Sequence, residues 1–356
     1  MLSIGPIQLS LPVVQAALSG YSDWPMRAVA RRMGAPYTVC EVMIDHFVTS
    51  LKDREKTKRF LMVEDEDHPA GAQLMGSDPD QFTAAAVRLV DAGFDVIDIN
   101  FGCPVKKVLG RCRGGFHLSQ PETAIDIMRR VRSTVPDEIP VTVKMRRGID
   151  DSQASCDAFY QILEAGFDLG IAAVTVHGRT VEQRYNGPSE WSFLTQLVKD
   201  FPNQTILGSG DLFSAADCVR MLQETGVSGV TAARGSIGNP WIFSQADALL
   251  QGKHPLPPPD VYEQRRVMEM HLDLACRVYP ERQAVRQIRK FSMRYSDWHP
   301  EGDEVRADFV AVKDQTAWVS TLDRWYSSNQ NGVYPTNPGR PNPPAARPKH
   351  NKLGSV

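Results

Sequence analysis

The side chains able to do chemistry sit where apolar runs give out. Asn100 and Cys103 lie in the stretch Asp95-Val-Ile-Asp-Ile-Asn-Phe-Gly-Cys-Pro104, and Gln73, Lys144 and His177 lie at the ends of three other strands. Val96 to Ile99 reads as a buried strand. Gly102, Pro104, Gly110, Gly114 and Gly115 forbid its continuation, so the thiol of Cys103 belongs at a strand end, on a long loop. A lysine inside Val-Thr-Val-Lys144-Met is costly to bury without a charged partner. Two readings fit it: a solvated strand terminus, or a cation tuning an anionic ring system such as a reduced flavin. His177, before Gly178-Arg179, is either a functional imidazole or a hydrogen-bonded core histidine.

Two further loops have the chemistry of a phosphate site, Gly208-Ser209-Gly210-Asp211 and Ala233-Arg234-Gly235-Ser236. Glycine lets backbone N–H groups approach an anion closely, and a helix N-terminus adds partial positive charge. Arg234 supplies a charge-assisted bond. Either loop alone is explained equally well by glycines that merely end strands. Two of them, after the last two strands of a barrel, favour phosphate binding.

The elements that must position these groups are regular. Short apolar runs recur at Val13–Leu18, Tyr37–Val42, Ala70–Met75, Val96–Asn100, Val141–Met145, Ala172–His177, Thr205–Ser209 and Gly229–Ala233. Between them, Gln81–Ala92, Pro121–Val135, Asp151–Ala165 and Ser214–Thr225 carry apolar residues at three- and four-residue spacing, with helix-entry signals at Ser77-Asp78-Pro79 and Ser119-Gln120-Pro121-Glu122. Eight strand–helix units predict an α/β fold, a (β/α)8 TIM barrel over residues 1–250. A doubly wound open sheet is the rival. Gly252, Pro255 and Pro257 to Pro259 mark a linker, and residues 260–328 are helical in character, a small C-terminal domain. From Asn329 to Val356 the chain is Pro-rich and is expected to be a disordered tail.

The chain has 356 residues, 42% hydrophobic, with net charge −2, so the whole protein is no polycation. The charge is uneven: residues 257–356 carry 15 Lys/Arg against 12 Asp/Glu, and Arg265 to Arg294 hold 8 basic against 3 acidic residues. That excess makes the segment a candidate polyanion surface. Six cysteines without Cys-x-x-Cys or zinc spacing suggest reduced thiols, no metal and a cytoplasmic location. No apolar run approaches ~18 residues, so neither a membrane span nor a membrane partner is expected.

In combination, Asn100-Phe-Gly-Cys103-Pro-Val-Lys-Lys-Val, Val143-Lys144-Met-Arg146, Thr175-Val-His177-Gly-Arg179-Thr and Gly238-Asn-Pro-Trp241 resemble the FMN-dependent tRNA-dihydrouridine synthases, over roughly residues 12 to 300. The resemblance implies an FMN-binding barrel followed by a helical RNA-binding domain, with NADPH or NADH as reductant. The reduced flavin gives hydride to C6 of a uridine in tRNA, and Cys103 protonates C5. A thiol near its ordinary pKa of ~8.5 is mostly protonated at neutral pH and can donate. By the same resemblance Ala17, Leu18 and Ser19 line the flavin, Gln73 and Lys144 contact its ring, and His177 lies beside flavin or base. Ser209, Gly210, Asp211, Ala233 and Arg234 hold the phosphate end, and Asn100 meets the uracil edge, with Arg146 and Arg179 at the substrate side. The chain departs from the family pattern at Ala17-Leu18, Ser209 and Ala233, and in the loop Gly114-Gly-Phe-His-Leu118.

A uridine inside folded RNA must be turned out to reach a barrel mouth, which requires phosphate clamps around it. Arg282, Arg286, Arg289 and Lys290 recur at helical spacing opposite Val285, Ile288 and Phe291. This basic amphipathic helix is either a solvated charged face or an RNA contact, extended by Arg265, Arg266, Arg347, Lys349 and Lys352. The expected partner is tRNA rather than DNA, bound by a monomer. Two other readings remain: an FMN barrel reducing a small molecule, and a flavin-containing RNA-binding protein with weakened catalysis.

Overall fold

The β-branched runs form a closed ring of parallel strands. In the computed structural model, which describes residues 1–52 and 54–338, the strands are β1 Leu2–Ile4, β2 Ile7–Leu9, β3 Val13–Gln15, β4 Thr38–Val39, β5 Met43–Ile44, β6 Ala70–Met75, β7 Val96–Phe101, β8 Val141–Arg146, β9 Ala173–His177, β10 Ile206–Ser209 and β11 Gly229–Ala232. From β3 to β11 every neighbouring pair is parallel, and β11 returns to β3. The run expected at Tyr37–Val42 is split: β4 and β5 both pair with β6 and act as one interrupted stave of an eight-stranded barrel. The open-sheet rival is excluded by this closure.

Side-chain alternation places Val14, Gln73, Asp98, Thr142, Lys144, Thr175 and Thr231 on the barrel's inner face. The opposite faces, with Val13, Ala72, Ile97, Val143 and Val230, pack under the helices in the main hydrophobic core. The helices begin where their entry signals stand. Asp78 caps Pro79–Asp91 through the amide of Asp80 at 2.9 Å, and Ser214 caps Ala215–Thr225 through that of Asp217 at 3.1 Å. One element escaped the sequence reading. β1 and β2 form an antiparallel hairpin across Gly5, whose φ of +55° suits glycine, and Leu2, Ile4 and Leu9 seal the N-terminal end of the barrel against Val14, Val96 and Leu207.

The helical region comprises Val261–Val278, Glu281–Tyr295, Gly302–Ala311 and Gln315–Trp325. Its core is shared with the barrel: Trp24, Met26, Val29, Ile237 and Trp241 pack with Phe291, Tyr295 and Trp298. The Trp298 indole N–H donates to the Gly238 carbonyl at 3.1 Å and the Tyr279 hydroxyl to Asp23 at 2.8 Å. This dense seam fixes the helices against one side of the barrel.

The tail differs from expectation at its start. Val261 N–H donates to the Gln330 carbonyl at 3.0 Å and Val333 N–H to that of Trp298 at 2.9 Å, so residues 329–333 lie docked along the helical region. Backbone groups paired to an existing surface supply the order that this proline-rich composition cannot supply alone. Residues 339–356, with Arg347, Lys349 and Lys352, lie outside the described residues.

Candidate active site

The C-terminal ends of β6, β7, β8 and β9 bring Gln73, Asn100, Lys144 and His177 to one mouth, in register: Asn100 beside Lys144, and His177 beside Arg146 and Ser209. A chain of hydrogen bonds runs up from the barrel interior. The Thr142 hydroxyl and the Gln73 amide each donate to the buried carboxylate of Asp98 at 2.6 Å. Asn100 Nδ2 donates to Gln73 Oε1 at 2.7 Å, and Asn100 Oδ1 accepts the backbone N–H groups of Gly102 at 3.0 Å and Cys103 at 3.1 Å. Gly115 N–H then donates to the Cys103 carbonyl at 3.1 Å. The thiol thus stands half-buried on a loop held from both sides. Burial pushes its pKa up, against an opposing pull from the Val105 N–H, Arg146 and Lys144, which keeps it a thiol at neutral pH.

Positive charge dominates the mouth. Lys144 is pulled down to about 8, first by burial and then by Arg146, with Asp98 and Cys103 opposing. It makes no direct ion pair or hydrogen bond among the described residues, so a half-buried cation is left facing the cavity, with Asp98 the first of the groups that favour its charge. His177 is held neutral, its pKa lowered to about 2 by burial and then by Lys144, Arg146, Arg179 and Arg234. Near the glycine loops Arg179 pairs with Asp211 at 2.7 Å, and Arg234 lies 3.9 Å from the same carboxylate, partly exposed. Asp211 and Gly210 adopt φ of +57° and +119°, and a Cβ on Gly235 would stand 2.2 Å from the Leu212 carbonyl. The two loops are therefore in backbone contact, which leaves no room for side chains between them. A lysine without a direct partner and a partly exposed Arg234 fit an anionic ring with a phosphate tail.

A model of the dihydrouridine synthase (Dus) family matches residues 14–331. The chain belongs to that family. A probable tRNA-dihydrouridine synthase of Rickettsia prowazekii (strain Madrid E) is 33% identical over 328 residues, 92% of this chain and 98% of the relative. One from Mycobacterium tuberculosis (strain ATCC 25618 / H37Rv) is 34% identical over 331 residues, 91% and 84% of the two chains. The tRNA-dihydrouridine synthase B of Pseudomonas aeruginosa is 30% identical over 328 residues, 92% and 96%. Among solved structures, histamine dehydrogenase from Rhizobium sp. 4-9 superposes with TM-score 0.53 at 14% identity, covering 77% of this chain and 50% of that one. A 2-naphthoyl-CoA reductase gives 0.55 at 10%, covering 71% and 52%. At such identities these structures show the barrel fold alone.

Within this Dus-family mouth, several nominated residues turn out to be committed to the protein itself. Arg146 is buried, and donates to the carbonyls of Gly102 at 3.0 Å and of Thr180 and Arg184 at 2.7 Å each. It clamps the Cys103 loop to the loop after β9. Arg179 is equally buried, and also donates to the Gly187 carbonyl at 3.0 Å. Ala17, Leu18 and Ser19 follow β3, in a turn closed by Leu18 N–H donating to Ser22 Oγ at 2.8 Å. Arg289 donates to the Val312 carbonyl at 3.0 Å, and Lys290 donates to the Gly20 carbonyl while lying 4.7 Å over the Tyr21 ring. Both therefore fasten the helical region, and of the four basic positions Arg282 and Arg286 stand exposed. Arg265 and Arg266 are paired with Glu269 and Glu263.

Asp98 and His117 were not nominated from sequence. Asp98 shares a strand face with Asn100 two residues on, a signal visible as a carboxylate interrupting a β-branched run. His117, fully buried, donates from Nε2 to the Gly76 carbonyl at 2.9 Å and so ties the loop after Cys103 to the end of β6.

Proposed function

We propose that this protein is a tRNA-dihydrouridine synthase that uses FMN, with NADPH or NADH as reductant, and that Cys103 is its acid. The observation that carries the reading is the half-buried thiol of Cys103, held at the rim of a positively charged barrel mouth by the Asp98–Gln73–Asn100 chain. Bound reduced flavin supplies the hydride for C6 of the uridine. Lys144 would offset negative charge on the ring, Arg234 and the loops around Gly210 and Gly235 would hold the phosphate, and Gln73 would face the ring. Cys103 would donate its proton at C5, and Asn100 would orient the uracil edge. His177, neutral, adds a hydrogen bond without adding charge. Arg146 and Arg179 shape the site by bracing the loops. The exposed Arg282 and Arg286 take RNA phosphates beyond the mouth.

The test is direct. The purified protein should be yellow, release FMN on denaturation, and be bleached by NADPH without oxygen. Incubation with tRNA transcripts and nucleoside mass spectrometry should then show dihydrouridine at a defined position. A flavin that is reduced and reoxidised without any uridine in tRNA being converted would overturn the substrate assignment.

A further inference from the structure

A carboxamide is nearly symmetric in shape, so the way its oxygen and nitrogen face is set by its partners' polarity. The hydrogen-bond chain below Cys103 ends on groups of fixed polarity. The Asp98 carboxylate accepts from Gln73 Nε2 and Thr142 Oγ1, both at 2.6 Å. At the other end the N–H groups of Gly102 and Cys103 can only donate, to Asn100 Oδ1 at 3.0 and 3.1 Å. Between them the amides meet at 2.7 Å, Asn100 Nδ2 on Gln73 Oε1. One combination of orientations satisfies every contact. Turning Gln73 round sets its oxygen against the carboxylate and its nitrogen against Asn100. Turning Asn100 as well sets N–H against the N–H groups of the cysteine loop.

We propose that Asp98 is a positioning residue: it fixes the direction of the Gln73 and Asn100 amides, and through Asn100 the place of Cys103. In the enforced arrangement each amide keeps one N–H free, so both offer the ligand a donor and match carbonyl oxygens. Asp98 itself has both carboxylate oxygens engaged, by Gln73 and by Thr142. This deepens the functional reading, but its geometry stands without it.

The experiment follows alkylation of Cys103 by iodoacetamide, resolved by peptide mass spectrometry from the exposed Cys112 and Cys276. Asp98→Leu and Gln73→Leu each cut one link, so each should speed Cys103 labelling at least about threefold. The double variant should add nothing to the larger single effect, because links in one chain are not additive. Cys112 should label at its wild-type rate throughout. Asp98→Asn can keep its oxygen on Gln73 and turn its nitrogen to the Thr142 hydroxyl, so its labelling should stay within about twofold of wild type. Unchanged Cys103 labelling in the leucine variants overturns the proposal. So does a rise in Asp98→Asn equal to that in Asp98→Leu, which would make charge rather than direction the cause. Should Asp98→Leu not fold, Gln73→Leu decides alone. No RNA enters the measurement. Altered labelling in a protein that makes no dihydrouridine sinks the substrate reading only, and unaltered labelling in an active enzyme sinks this inference only.

Discussion

Four polar side chains near strand ends at the barrel mouth and four cations on the basic helix Glu281–Tyr295 met different fates. At the mouth, Gln73, Asn100, Lys144 and His177 come from separate strands and converge, because parallel register puts strand ends at one rim. On the helix, helical spacing did put the cations on one side, yet Arg289 and Lys290 spend their donors on Val312 and Gly20. Converging strand ends impose a shared cavity. A helical face is divided between solvent and whatever packs beside it, and periodicity does not say where that division falls.

This contrast can be broken by mutation. The largest effect is expected at the mouth: Cys103→Ala should lower the turnover of tRNA by about 10²- to 10⁴-fold, the usual worth of general acid catalysis, while flavin content and tRNA affinity hold. Full turnover in rapid-quench assays would remove the thiol from the chemistry. On the helix, Arg282→Glu with Arg286→Glu should weaken tRNA binding by about tenfold and flatten its salt dependence by roughly two counterions, with the flavin spectrum intact. Titrations at several salt concentrations give both numbers, and an unaltered slope would mean the exposed arginines are merely solvated.

The mouth also predicts a pH signature. The unfolded imidazole of His177 takes a proton near pH ~6.5, whereas the folded one stays neutral to about 2. Below pH ~6.5 the unfolded state therefore binds the extra proton, and stability falls as pH falls, by ~1.4 kcal/mol per unit for this group. His177→Gln should remove that share of the slope between about pH 6 and 4 in denaturant melts; the buried His271, also held neutral, keeps its own share. The smallest effect is reserved for the committed half of the helix. Arg289→Met should cost ~1 kcal/mol of stability through its lost bond to Val312 and change tRNA affinity less than about twofold. A larger loss of affinity than of stability there would erase the distinction between the two regions.

Much of the site was legible because its residues end strands. A polar side chain near the end of an apolar run, as at Asn100, Lys144 and His177, has few places to be except the rim of a barrel. Asp98 was missed because inside Val-Ile-Asp-Ile it looks like a blemish in a strand; its partners Gln73 and Thr142 are 25 and 44 residues away along the chain. That Arg146 and Arg179 reach backbone carbonyls is hidden in the sequence, which carries an arginine's charge and not its partners. The docking of residues 329–333 was hidden similarly, since its order comes from Val261 and Trp298 rather than from its own composition.

By itself the sequence determined periodicity and punctuation: eight apolar runs, the helices between them, the glycine turns, and a thiol just past one strand. Those features are local, written in side-chain type and spacing within a few residues. Tertiary structure alone decided that Lys144 has no direct partner among the described residues, which way each amide faces and which arginine braces a loop. Each of those depends on the donors and acceptors that distant segments bring within 3 Å or so, and on how much water is left between them.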